Sequence, residues 1–254
     1  MSEHDAIVAA YQKVVDWWSN LELEDEAAAL EDFAVRFAYN SGRIENDELT
    51  YLVVREVFEK ARVSNYTGTL RTLIECGNMR NAWGWVLNHA GDVAPFSGDT
   101  LCKLQALLTY GTYDDDRWSR GERPGTYKLA QYTVGISGVG TEPEDVPAEI
   151  DELAAEVDEA MEKPNARKRA LVIAAYLHAK VVDIHPFSDG NGRTARLLMN
   201  WALLSLGHPP IAIAEGDRMA YFGALDAFHD DGELDPLLDF LRVECYRTWQ
   251  KHVA

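Results

Sequence analysis

Apolar residues recur at helical spacing along almost the whole chain. Ile7, Ala10, Tyr11, Val14 and Trp18 form one stripe over 5–19, and Ala29, Leu30, Phe33 and Phe37 repeat it over 25–40, as amphipathic helices with one buried face require. The second of these helices is expected to end near Asn40 to Gly42. Taken alone, Ser41-Gly42-Arg43-Ile44-Glu45-Asn46 then reads as a turn with surface charge,. Thr50 is placed to cap a helix over 52–62, because its hydroxyl can accept an orphan amide of the first turn. Leu73, Ile74, Trp83, Val86 and Leu87 predict a helix over 70–90 that Gly91-Asp92 stops, and Asp99-Thr100 precedes a short helix over 101–108,. Residues 109–125 are polar and broken by Gly111, Gly121, Pro124 and Gly125, so an exposed loop is expected,.

β character is confined to 127–136, where Tyr127, Tyr132, Thr133, Val134 and Ile136 lie among glycines and suggest a short hairpin or flap,. An acidic helix then opens at Pro147 and runs to about 162, with proline in the first turn where its missing N–H is harmless,. Helices over 165–183, 194–206, 218–228 and 236–250 complete the chain,. The expected fold class is all-α, with a small β-hairpin flap.

With 254 residues, 47% of them hydrophobic, the chain can bury a sizeable core,. Its 24 basic and 42 acidic residues give a net charge of −18, which disfavours binding to nucleic acid or to an anionic membrane surface. Phosphate must be held by a local patch. Cys76, Cys102 and Cys245 show no C-x-x-C spacing and leave one thiol over under any pairing, which fits a reducing, cytoplasmic setting,. No apolar run approaches the roughly 20 residues of a membrane span.

One stretch concentrates the chemistry: His185-Pro186-Phe187-Ser188-Asp189-Gly190-Asn191-Gly192-Arg193-Thr194-Ala195-Arg196. Pro186 disfavours helical geometry at His185, so the preceding helix ends with the imidazole at the mouth of a loop. Gly190-Asn191-Gly192 can bring backbone N–H groups close to a ligand, and the loop feeds a helix N-terminus that suits an anion. Arg193 and Arg196 share a face and lie at the end of the helix where the dipole opposes cations, which argues for a polyphosphate between them and the loop. Asp189 is compatible with that if it holds Mg²⁺, which takes one or two carboxylates plus phosphates and water. Singly, a histidine before proline or a G-N-G turn is ordinary structure. Their joint occurrence within twelve residues points to a site, while Phe187 and Pro186 read as packing and shape.

The string resembles the motif of the Fic family, H-x-F-x-[DE]-G-N-G-R-x-x-R, and matches every specified position. The resemblance implies a mostly helical enzyme that transfers AMP from ATP to a hydroxyl of a protein target. It implies His185 as the general base, Asp189 as the Mg²⁺ ligand, Gly190, Asn191 and Gly192 as the phosphate cradle, and Arg193 and Arg196 as clamps on the outer phosphates. Pro124-Gly125-Thr126-Tyr127-Lys128 and residues 132–136 resemble the family's target-docking flap, with Thr133, Val134 and Gly135 as the pairing residues and Lys128 where the family commonly has Arg. The segment with Tyr221 and Phe222 is similar to the one that closes over the nucleoside, although the family often has two tyrosines there and an Asn where His229 stands. Tyr221 and Phe222 read equally well as core aromatics.

Residues 41–46 also match the family's inhibitory pattern, [ST]-x-x-x-E-[GN]. The resemblance therefore implies that Ser41 and Glu45 belong to a brake in the same chain, with Glu45 pairing to Arg196. On this reading 1–95 is an N-terminal helical region carrying the brake and 96–254 is the catalytic core. Other readings stay open at this point: an enzyme that removes AMP, or does both, with the help of Glu45; transfer from another nucleotide donor or of another phosphoryl group, which the G-N-G-R run disfavours; and a non-catalytic nucleotide-binding or partner-binding module. A homodimer is compatible with the sequence, which has no specific feature for it.

Overall fold

The computed structural model describes residues 3–64, 66–90, 95–134 and 138–253. Eleven α-helices run through them: α1 (Glu3–Ser19), α2 (Leu23–Glu45), α3 (Tyr51–Lys60), α4 (Leu70–His89), α5 (Gly98–Thr109), α6 (Asp115–Ser119), α7 (Val146–Glu162), α8 (Ala170–Ile184), α9 (Asn191–Ser205), α10 (Arg218–Asp231) and α11 (Asp235–Val253). The centre is α8 packed on α9. Leu171, Ile173, Ala174, Ala175, Leu177 and Val181 make α8 apolar nearly all round, and such a helix is stable only when surrounded by others. Helices α7, α10 and α11 cover α8, while α2, α4 and α5 cover α9. The loop between the two central helices is thereby held from both sides.

The amino-terminal helices are not an outlying arm. α1 lies along α11, and Trp249 of α11 is fully buried among Trp17, Trp18 and Phe33, with ring centroids 5.4, 5.2 and 5.6 Å away. Its Nε1 donates to the Pro210 carbonyl at 2.8 Å, so the indole's polar atom is satisfied as burial demands,. This cluster fixes α2 against the rest of the molecule.

Several local expectations are met. Thr50 caps α3 by accepting the Val53 amide, and Pro147 lies in the first turn of α7. Others need correction. α5 is capped by Ser97, whose Oγ accepts from the Thr100 amide at 3.2 Å, two residues before the expected Asp99-Thr100 cap. The loop 109–125 is not uniformly exposed, since Thr109, Thr112, Tyr113 and Glu122 are buried and α6 interrupts it. Helix α2 does not stop near Gly42 but continues to Glu45, with the Asn46 N–H donating to the Gly42 carbonyl at 2.8 Å. Leu49 packs over Gly42 there, so that a Cβ at 42 would meet its Cδ2 at 2.4 Å and displace it.

The expected β-hairpin flap is also corrected, and the fold class is all-α without it. Among the described residues, strand geometry is limited to Thr133–Val134 opposite Gly138–Val139, two residues a side. The backbone of the preceding residues is engaged elsewhere. Lys128 N–H donates to the Pro186 carbonyl at 2.9 Å, and Leu129 N–H to the Glu122 carboxylate at 2.9 Å. Two residues a side is far short of a self-supporting hairpin. Gly135 and Ile136 lie outside the described residues. Among the described residues, no helix is long and apolar enough to cross a membrane.

Replacing Trp249 with alanine should destabilise the fold by about 3–5 kcal/mol, as for large aromatic truncations in cores. Equilibrium denaturant unfolding of the two proteins measures this.

Candidate active site

The loop between α8 and α9 takes its shape from local requirements. His185 ends α8 in the left-handed region, at φ 51°, with its N–H donating to the Val181 carbonyl at 3.2 Å. Gly190 precedes α9 with φ 84°, where a side chain would be strained and a Cβ would meet Thr109 Cγ2 at 2.9 Å,. Asn191 closes the loop through its side chain. Its Oδ1 accepts from Phe187 N–H at 2.9 Å and its Nδ2 donates to the Phe187 carbonyl at 2.7 Å. Phe187 is fully buried and anchors the loop in the core. Gln105 of α5 holds the other side by donating to the Asp189 carbonyl at 2.9 Å, and Ser188 Oγ donates to the Tyr113 hydroxyl at 3.0 Å.

Charged groups converge on the start of α9. Arg193 donates from Nη2 to Asp189 Oδ1 at 3.1 Å and lies 3.4 Å from Glu75 Oε1. Arg71 of α4 joins the same two acids, at 2.9 Å to Asp189 Oδ2 and 3.0 Å to Glu75 Oε1. The four side chains form a closed ring of alternating charge.

Arg196 is almost fully buried. Its Nε donates to Ser41 Oγ at 2.9 Å, and its Nη2 donates to the Ser41 carbonyl at 3.0 Å and to Glu45 Oε1 at 2.9 Å. Glu45 closes the C-terminal end of α2 and Arg196 sits near the N-terminal end of α9. Each charge is at the end of its helix that the dipole disfavours, so pairing them relieves both. The Glu45 side chain keeps 42% of its surface exposed. Crowding around its carboxyl works to raise the pKa, but the Arg196 and Arg193 guanidiniums outweigh this and hold it below the usual range.

Gly192 completes an anion-sized niche. A Cβ there would meet Glu45 Oε1 at 2.7 Å and Arg196 Nη1 at 3.1 Å. A carboxylate thus already lies against the backbone at the head of α9, the environment in which helix N-termini receive phosphates.

The His185 imidazole is half-buried. Burial, and after it the positive charge of Lys128, pulls its pKa down to about 4, so at neutral pH it is an unprotonated base.

The other predicted residues divide. Tyr221 is buried behind Arg196, its hydroxyl 2.8 Å from His178 Nε2 and bonded to the guanidinium. Phe222 is half-buried, with Arg218 stacked over its ring at 5.4 Å. His229 pairs with Asp183 rather than with the loop. Thr133 and Val134 lie in the short β pairing and Gly135 is outside the described residues.

Residues 95–203 match the model of the Fic/DOC family. That stretch is similar to a Fic/DOC domain. The protein adenylyltransferase Fic of Nematostella vectensis is 36% identical over 130 residues, which cover 51% of this chain and 29% of that relative. The protein of the same name from Drosophila persimilis is 47% identical over 68 residues, 27% of this chain and 13% of the relative. The chain therefore matches under a third of the length of either. Its fold is similar to that of a Fic-domain-containing signaling protein from Bacteroides thetaiotaomicron, with TM-score 0.78 and 23% identity over 99% of this chain and 96% of that one. The Fic/DOC match begins at the α4–α5 connection and ends within α9, so α2, with Ser41 and Glu45, lies outside it.

Three residues at the site were not singled out from the sequence, Arg71, Glu75 and His178, and Lys128 was singled out only as part of the flap. The i,i+4 spacing of Arg71 and Glu75 on α4 signals an ion pair,, but nothing in it signals Asp189. His178, two turns before His185 on α8, could have been read as sharing its face. The donor set suits Mg²⁺ in its one-carboxylate mode, since Asp189 offers a half-buried carboxylate beside the Gly192 niche,. Both of its carboxylate oxygens are engaged here, Oδ1 by Arg193 and Oδ2 by Arg71.

His178, His185 and His208 are each held near pKa 4, chiefly by burial. Folded values below the unfolded 6.5 mean that their neutral forms contribute stability above pH 6.5, which is lost as pH falls towards 4. Thermal unfolding should show Tm dropping steeply across that window, and replacing the buried His208 with glutamine should make the drop shallower.

Proposed function

We propose that this chain is a protein adenylyltransferase, moving AMP from ATP to a Ser, Thr or Tyr hydroxyl of a protein target, and that Glu45 holds it in check. The observation that carries this reading is the contact of Arg196 with Glu45 at the Gly192 niche, where a carboxylate lies against the head of α9. The names of the adenylyltransferase relatives support the same class of reaction.

In this reading the neutral His185 imidazole takes the proton of the target hydroxyl as its oxygen bonds to the α-phosphorus, and the bond to pyrophosphate breaks in line. The backbone of 190–192 and the Arg193 and Arg196 guanidiniums hold the phosphates. Phe222 flanks the nucleoside, and Tyr221 acts from behind by orienting Arg196. Asp189 would hold Mg²⁺, which when bound neutralises phosphate charge. The span 1–95 carries the brake and 96–254 the transfer machinery. Glu45 competes with the γ-phosphate for Arg196, so the nucleotide cannot settle in the transferable pose while α2 is docked.

The exposure of Glu45 favours one alternative, in which its carboxylate orients a water that removes AMP from a modified target. Two substitutions separate the readings. With α-labelled ATP, Glu45→Gly should raise label transfer by roughly tenfold or more, equivalent to ~1.4 kcal/mol of barrier. Adding His185→Ala should remove it by about 10²–10⁴-fold. Loss of AMP removal in Glu45→Gly, without gain of transfer, would assign the hydrolytic role instead.

A further inference from the structure

Lys128 has no role in the proposed transfer as described above, yet it is buried against the site, with only 1% of its surface exposed. Its Nζ donates to the Ile184 carbonyl at 3.5 Å, and its own N–H donates to the Pro186 carbonyl at 2.9 Å. The two carbonyls flank His185, one on each side. Thr141 N–H shares the Ile184 carbonyl at 3.1 Å. Gly140 packs so closely that a Cβ there would meet His185 Cβ and the Ile184 oxygen at 2.5 Å. His185, in a backbone region that non-glycine residues rarely adopt, is thus bracketed by one neighbouring segment.

We propose that Lys128 is a positioning residue for His185, clamping the peptides on either side of it and setting a fixed positive charge beside its ring. The proposal rests on His185 being the base of the reaction above. An ammonium is an expensive choice if packing were the only need, because a buried charge without a close counter-ion is disfavoured. Among the described residues, no carboxylate forms an ion pair with Nζ. Glu142 and Glu149 act on it from a distance and favour its charged form, against the burial that lowers its pKa.

The charge has a function at this place. The groups that favour a protonated imidazole are the Val182 carbonyl on α8, Glu45 on α2 and Asp189 in the loop, and a bound polyphosphate would add to them. Lys128 is a cation that opposes them, after burial itself. Without it the phosphate field would tend to protonate the base before the target hydroxyl arrives.

The test is an NMR titration of the full chain labelled in its imidazole rings, with the His185 signal assigned by its loss in His185→Ala. In Lys128→Met the His185 midpoint should move up from about 4 towards the ordinary 6.5, while in Lys128→Arg it should stay near the parent value. An unchanged midpoint in folded Lys128→Met, or an equal rise in Lys128→Arg, would overturn the proposal. If the methionine variant fails to fold, Lys128→Gln provides the same comparison. In the Glu45→Gly background the acid limb of the label-transfer pH profile should move up in parallel with the midpoint. A shifted midpoint with no transfer in any variant would sink the adenylyl-transfer reading and leave the electrostatic role of Lys128 standing.

Discussion

The buried guanidinium of Arg196 is the constraint on which the site depends. A cation near the head of a helix, almost fully removed from water, is tolerable only with strong anionic or carbonyl partners. Here the last turn of α2 supplies the Ser41 hydroxyl, the Ser41 carbonyl and the Glu45 carboxylate, and the Tyr221 hydroxyl joins them from behind. Docking of α2 and occupation of the head of α9 are therefore one event. A ligand that takes Nη2 of Arg196 must replace the Glu45 contact, and the proposed brake then needs no moving part beyond one helix end.

The rest of the architecture keeps that end in place without sealing it. Trp249 and its aromatic neighbours fix α2 on the side away from the loop, while Glu45 remains partly in water. Such a contact is strong in geometry but accessible to competition. The ring of Arg71, Glu75, Arg193 and Asp189 adds a second tie from α4 to the loop. The amino-terminal helices thus reach both arginines of the motif, from two directions.

Within the loop, side chains and backbone divide the work. Asn191 spends its amide on the Phe187 backbone, so any contribution it makes to a phosphate cradle comes from its main chain. Lys128 meets the loop on its far side. The base, the niche and the guanidiniums are held by the 128 and 140 segments, α5, and α2 with α4 respectively. The precision of the loop is borrowed from four neighbours.

By itself the sequence determined what is local. Apolar periodicity located the helices to within a few residues, because burial of one face repeats every turn. Pro186 and the glycines of 190–192 specified a loop running into a helix, because their backbone limits do not depend on surroundings. It misjudged the end of α2, where packing of Leu49 on Gly42 extends the helix, and it overstated 127–136, where backbone donors go to Pro186 and Glu122 rather than to a sheet. Apart from Glu45 with Arg196, a pairing that the family resemblance implied, only the tertiary structure decided which charges meet. Glu45 and Arg196 are 151 residues apart, Arg71 and Asp189 118, and Lys128 and Ile184 56. Residues so far apart come together through the packing of whole helices, which no local pattern of residues encodes.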